Sequence, residues 1–141
     1  MELQKNKVLL GLSGGVDSAT AALLLKEKGF NVTGFYFDVK GQNEQGRAES
    51  EAVAKQLDIP LIYEDVSSDF RGIVIENFIT EYLHGRTPNP CVLCNPNIKF
   101  QRLIHHADEI GAYYIATGHY CRILHDETNH AYYIRRAAND K

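Results

Sequence analysis

Lys7-Val-Leu-Leu-Gly-Leu12 runs straight into Ser13-Gly-Gly-Val-Asp-Ser18, and this junction decides the fold. An apolar run that does not alternate, with turn residues directly behind it, reads as a strand covered on both faces. Beyond the turn, Ala19 to Lys28 is dense in helix formers, and Gly29 stands where such a helix should stop. The same alternation continues outward. Asn31–Phe37 is aromatic and β-branched, a second strand, and polar Asp38–Gly46 is a loop. Arg47–Leu57 reads as a helix with Ala48, Val53, Ala54 and Leu57 on its apolar face, and Leu61–Val66 as a third strand after Pro60. Ser67 opens a helix to about His84, striped by Phe70, Ile73, Val74, Phe78, Ile79 and Tyr82. A helix from Ile98 to about Ile110 halts at Gly111, and Tyr113–Thr117 is a fourth buried strand. Cys121–Arg136 is read as a hairpin around Asp126-Glu-Thr-Asn129.

Strands alternating with helices through short connections argue an α/β fold, a parallel sheet with helices on both faces. In such sheets ligands bind at the carboxyl ends of the strands. Ser13–Ser18 and Gly118-His119 each follow directly on a strand, so topology predicts one shared site.

Composition sets the outer bounds. A chain of 141 residues, 44% hydrophobic and 23% charged with 11 Gly and 4 Pro, is one ordinary globular domain with a real core. This excludes a disordered chain, a collagen-like repeat and a disulfide miniprotein. No apolar run approaches the roughly 18 residues of a membrane span, and Met1–Lys5 is polar with no secretory apolar stretch behind it. The expectation is a cytoplasmic domain with no membrane. Three cysteines, two in a Cys-x-x-Cys, then suggest thiol or metal chemistry. A net charge of −3 makes no global case for nucleic acid.

Ser13–Ser18 is an anion cradle in kind. Glycines admit close approach of backbone N–H groups, and the following helix adds donors and a favourable dipole. Ser13 and Ser18 add hydroxyls, and Asp17 is placed to hold a magnesium ion bridging phosphates. The loop is neither a Walker A motif nor a Gly-x-Gly-x-x-Gly dinucleotide turn. A plain strand-to-helix turn capped by Asp17 is the bland alternative.

Three motifs in order carry a resemblance: Ser13-Gly-Gly-Val-Asp-Ser18; Gly85-Arg-Thr-Pro-Asn-Pro-Cys-Val-Leu-Cys-Asn95 with Ile98-Lys-Phe100; and Ala116-Thr-Gly-His-Tyr120. The first resembles the pyrophosphate loop of adenylating ATP pyrophosphatases. All three together resemble the tRNA-specific 2-thiouridylases of the MnmA/TrmU type. The resemblance implies a Rossmann-like three-layer sandwich of the adenine nucleotide alpha hydrolase class. It also implies that ATP adenylates the carbon-2 oxygen of the wobble uridine, pyrophosphate leaves, and a cysteine persulfide delivers sulfur as AMP departs. By this likeness Gly11, Leu12, Ser13, Gly14, Gly15, Val16, Asp17 and Ser18 hold ATP, with Phe37 against the adenine and Gly118 on the nucleotide's other side. Phe37 reads equally as a core aromatic. His119 is assigned no chemical role.

Cys91-Val-Leu-Cys94 admits several readings. A zinc half-site lacks a second ligand pair, since His105 and His106 are adjacent. A redox pair should open a helix, whereas Gly85–Asn97 carries Pro88, Pro90 and Pro96 and is read as a loop that no helix crosses. The resemblance makes Cys94 the nucleophile, which attacks the persulfide or forms a disulfide with its cysteine as sulfur leaves. That role calls for partial exposure and a lowered pKa, with Lys99 or Arg102 supplying positive charge. Cys91 departs from the Asp of better-known members and raises an iron–sulfur alternative on Cys91, Cys94 and a later cysteine such as Cys121.

No acidic residue stands between Glu81 and Asp108, whereas Arg86, Lys99 and Arg102 do. This local positive stretch suits tRNA phosphates, and the resemblance puts Asn89, Pro90 and Cys91 at the target base. The family's proteins continue into a central domain with a second catalytic cysteine and a small β-barrel. Residues 1–141 are therefore expected to be the N-terminal ATP-binding domain, able to bind ATP but not to finish sulfur transfer. Sulfur would come from a carrier or a cysteine desulfurase relay. A small-molecule adenylating ligase of the same superfamily and a non-enzymatic nucleotide- or metal-binding module are the competing readings.

Overall fold

The computed structural model describes residues 3–119 and 121–136; Tyr120, which closes the third motif, and Met1 and Glu2 lie outside them. Four parallel strands form one sheet in the order β3-β2-β1-β4. They are β1 Gln4–Gly11, β2 Asn31–Asp38, β3 Leu61–Asp65 and β4 Ala112–Thr117.

Alternation along β1 explains the three layers. Val8, Leu10 and Leu12 point one way and pack with Ala22 of α1 (Val16–Glu27) and Ala54 of α2 (Glu44–Gln56). Leu9 points the other way, into a cluster with Phe35, Leu103 and Ala107 of α6 (Phe100–Ile110). Successive side chains on a strand face opposite sides, so a strand buried on both faces must be apolar throughout. Helices therefore cover both faces of the central strands, as the sequence predicts, but β4, expected to be buried, is an edge strand with Tyr113, Tyr114 and Ile115 exposed. The C-terminal hairpin also forms, from β5 Arg122–Asp126 and β6 Ala131–Arg135. Among the described residues no helix is long and apolar enough to cross a membrane.

Helix boundaries move in two informative places. The first helix begins at Val16, so Val16, Asp17 and Ser18 belong to its first turn and the loop proper is Leu12–Gly15. The second begins at Glu44, because the Asn43 side chain accepts a 3.3 Å bond from the Gly46 N–H and caps it.

Two further helical runs differ from expectation. Residues 67–83 are continuous: α3 Ser67–Phe70, a π turn Arg71–Ile75, and α4 Glu76–Leu83. Of the expected apolar stripe only Val74 is buried; Ile73, Phe78, Ile79 and Tyr82 stay exposed. The second run corrects the reading of the proline-rich segment. Pro90 opens α5 (Pro90–Cys94), which passes through a π turn at Asn95–Lys99 into α6. Pro90 sits at the first helical position, where no intrahelical N–H bond is needed. Pro96 has no N–H to give Val92, but the wider turn accommodates it, and the Asn97 side chain donates to the Leu93 carbonyl at 2.9 Å.

Candidate functional site

Three chain segments converge at the carboxyl edge of the sheet. Adjacent strands set them in register: Gly11 of β1 lies opposite Phe35 of β2 and Thr117 of β4. The Leu12–Gly15 loop leaves β1 there, with Gly14 at φ +79° turning the chain into α1. A side chain on Gly14 would also strike Glu49 at 2.8 Å, so this glycine answers both a left-handed backbone and a close neighbour.

Ser18 holds the loop from inside. Its buried Oγ accepts from the Ser13 N–H at 3.2 Å and donates to the Gly15 carbonyl at 3.0 Å, while the Ser13 hydroxyl lies 3.2 Å away. Gly15 caps α1 without a side-chain bond, which leaves first-turn N–H groups for a ligand. Ser13, Gly15, Val16 and Asp17 are exposed. Asp17 is in no ion pair among the described residues.

Gly118 closes the other side. A Cβ there would lie 2.8 Å from both Ser18 Cα and Ser18 N, so the chain after β4 lies directly on the first turn of α1. Phe37 stands beside Gly11, where a Cβ would meet its Cε2 at 3.5 Å. Phe37 is half-buried, edge-on to Phe35 at 4.3 Å, and packs on two apolar clusters. His119 shares a 2.8 Å bond with the Thr117 hydroxyl.

Two supports were not singled out in the sequence. Ser50 of α2 is fully buried and donates to the carbonyls of Gly46 at 2.9 Å and Leu12 at 3.3 Å, tying that helix to the loop. Asp38, also fully buried, ends β2 and accepts from the N–H groups of Lys40, Gly41 and Asn43 and from the Tyr63 hydroxyl. Burial alone would raise its pKa, but those four donors outweigh it and hold the carboxyl below the usual range. A carboxylate flanking a loop is a common sequence feature; only its donors mark this one out.

The cysteine helix departs from expectation. Cys91 is exposed, but Cys94 is buried against Val66, Val74 and Ile98. Burial pushes the Cys94 thiol up; Lys99 pulls the other way, and Cys91 adds to the rise. The structure therefore shows a protected thiol, not the exposed, acidified one the sequence suggested, because residues distant in sequence cover it. Cys91, Cys94 and Cys121 are all free, so none of them is in a disulfide. With a thiol reagent at neutral pH, Cys91 and Cys121 should react at ordinary rates and Cys94 at least about tenfold more slowly. A Cys94→Ser variant should lose that slow phase. Three equal rates would contradict the burial.

The basic stretch is partly neutralised. Arg86 is paired with Glu81 at 2.6 Å, and Arg102 with Asp69 and, at 3.4 Å, Glu64. The sequence hid this because Glu64 and Asp69 arrive from β3 and α3. Lys99 is in no ion pair among the described residues, and Asn89 and Pro90 sit with Cys91 at the start of α5.

A loop, an aromatic and a glycine thus meet around one helix start, at the sheet edge where open α/β folds bind ligands. Residues 6–141 match the family model described as the tRNA methyl transferase HUP domain. The chain belongs to that family. Among curated HUP-domain relatives, a tRNA-specific 2-thiouridylase MnmA 2 of Clostridium botulinum (strain Loch Maree / Type A3) is 43% identical over 145 residues, covering 99% of this chain. The chain spans 40% of that relative's length. A solved U34-tRNA thiolase NcsA from Methanococcus maripaludis, with its 4Fe–4S cluster, aligns at TM-score 0.60 and 26% identity over 83% of this chain and 40% of its own. An NH3-dependent NAD synthetase from Campylobacter jejuni, with 21% identity and TM-score 0.56 over 79% of this chain and 46% of its own, shares the HUP-domain fold.

Proposed function

We propose that this chain is the N-terminal, ATP-using domain of a cytoplasmic enzyme that thiolates carbon 2 of the wobble uridine in tRNA. The observation that carries the reading is the approach of Ser13–Ser18, Phe37 and Gly118 to one another at one edge of the sheet, in a chain 43% identical to a 2-thiouridylase. The loop and the α1 first turn would hold the phosphates, and Phe37 and Gly118 would flank the nucleoside. Asp17 would hold a magnesium ion, which would neutralise phosphate charge.

The uridine carbon-2 oxygen then attacks the α-phosphorus, the bond to pyrophosphate breaks, and an adenylated uridine remains. The outer sulfur of a cysteine persulfide adds at carbon 2, and AMP leaves with the oxygen that adenylation has made a good leaving group. The Cys94 thiolate then attacks the inner, cysteine-bound sulfur, the S–S bond breaks, and 2-thiouridine departs as a disulfide forms between Cys94 and the donor cysteine. For that attack Cys94 would have to leave the apolar cover of Val66, Val74 and Ile98. Asn89, Pro90 and Cys91 would meet the base, and Lys99 would face the tRNA, joined by Arg86 and Arg102 on release from Glu81 and from Glu64 and Asp69. A sulfur-carrier or desulfurase relay supplies the persulfide.

The test uses the protein containing this chain, with ATP, tRNA and a persulfide donor. Pyrophosphate release stimulated by tRNA, with 2-thiouridine in the digested tRNA, is the expected result. This chain alone should bind ATP and form no 2-thiouridine. Release stimulated by a small amino acid instead would make it a small-molecule ligase, and ATP binding without release a binding module.

A second reading concerns Cys91 and Cys94, favoured by the cluster in the archaeal thiolase. Spaced i, i+3 on α5, the two thiols suit two ligands of an iron–sulfur cluster. Among the described residues no third ligand joins them. Anaerobic reconstitution with iron and sulfide, followed by metal analysis of wild type and Cys91→Ser, separates this reading from the nucleophile alone.

A further inference from the structure

We propose that a second cavity on the carboxyl edge of the sheet, between the chain after β2 and the start of α3, takes a phosphate-bearing nucleotide of the RNA next to the reacting base, held by Lys40 and Arg71. The inference rests on the thiolation reading and adds a subsite to it.

The cavity measures about 610 Å³, within the size range of a small-molecule pocket. Its lining divides by chemistry. Val39, Phe70 and Ile75 supply its apolar lining, and Lys40, Arg71 and the hydroxyl-bearing Ser67 and Ser68 its polar lining. Two cations and two hydroxyls beside an aromatic are what a nucleotide needs: donors for a phosphate and a surface for a base.

Charge balance separates these two cations from the three paired arginines. Arg47, Arg86 and Arg102 are each held by a carboxylate. Lys40 and Arg71 are in no ion pair among the described residues, and both are exposed. The acidic neighbour Asp65 is occupied in part, its Oδ1 accepting from the Ser67 N–H at 2.9 Å. Positive charge at this edge is therefore free for a ligand, whereas most of the stretch around Arg86 and Arg102 is not.

Position ties the cavity to the chemistry. Val39 and Phe70 pack against the cluster that buries Cys94, and Phe37 packs on the same cluster. The cavity thus lies across one apolar layer from the proposed nucleophile, on the same sheet edge as the phosphate loop. A nucleotide flanking a splayed-out base could seat here while the base enters the crevice.

The test compares wild type, Lys40→Gln/Arg71→Gln and Arg71→Lys. Binding of a labelled anticodon stem-loop RNA is measured across a salt series, and ATP binding is measured separately. The double variant should bind RNA about tenfold more weakly, with a log–log salt slope shallower by about 0.7 to 1.4, as one or two phosphate contacts are lost. Its ATP affinity should be unchanged, and Arg71→Lys should retain the wild-type salt slope. An unchanged RNA affinity and slope would overturn the subsite while leaving the thiolation reading standing. An equal loss for ATP would overturn it too, since the cavity would then serve the free nucleotide. If wild type binds no RNA, both readings fall together.

Discussion

Replacing Gly118 by alanine should lower ATP affinity on the order of 100-fold. The added methyl would lie 2.8 Å from Ser18 Cα and N and 2.9 Å from the Asp17 carbonyl carbon. All three are backbone atoms in the first turn of α1, so no side chain can swing aside. Either that turn moves away from β4 or the chain after β4 moves out, and both alter the phosphate loop. Overpacking of this kind costs about 1–3 kcal/mol, and about 1.4 kcal/mol of lost binding is already tenfold. Calorimetric titration with ATP reads the effect directly. Gly72→Ala is the control, since a methyl there meets nothing within 4 Å. Equal ATP affinity in Gly118→Ala and wild type would remove this glycine from the site.

The second large effect belongs to Asp38. Asp38→Ala strands three backbone N–H groups and the Tyr63 hydroxyl. Losing a buried charged acceptor with several donors should cost about 3 kcal/mol or more, and the loop leading to α2 should loosen first. Denaturant unfolding measures it. The pH dependence has a definite sign. The folded carboxyl titrates below its usual value, so its stabilisation is complete above the unfolded pKa near 4 and fades as pH falls through the lower folded value. The stability gap between wild type and Asp38→Asn should therefore be constant at neutral pH and shrink in acid below about pH 4. A gap that persists unchanged into strong acid would mean that the charge of Asp38 does not support the fold.

The chain shows clearly which physics can be read from a sequence. The β1 run and its glycine turn were legible because a strand apolar on both faces has one placement, in the middle of a covered sheet. The meeting of Gly118 with the first turn of α1 was legible because each follows a strand at the same edge of the sheet. Local signals misled where tertiary packing decides. Pro90 and Pro96 look like helix breakers, but one sits at a helix start and the other at a wide turn. Cys94 looks exposed beside those prolines, yet Val66 and Val74 cover it from another part of the chain. Arg102 looks free until Glu64 and Asp69 arrive. Ser50 and Asp38 carry no signal at all, since their importance lies in partners that only the fold supplies.

The two wide turns, Arg71–Ile75 and Asn95–Lys99, bear on how this chain can change in length. A π turn widens the helix locally to hold an additional residue. Because the wide turn takes up that residue locally, the helix on either side keeps nearly the rotational setting it would have without it. Deleting one residue from either turn should therefore restore a regular helix with its flanking residues still facing their partners. A deletion early in the regular α6, by contrast, would turn everything beyond it by about 100° and take Leu103 and Ala107 off the sheet. The two wide turns are thus the places where a one-residue change in length disturbs these runs least.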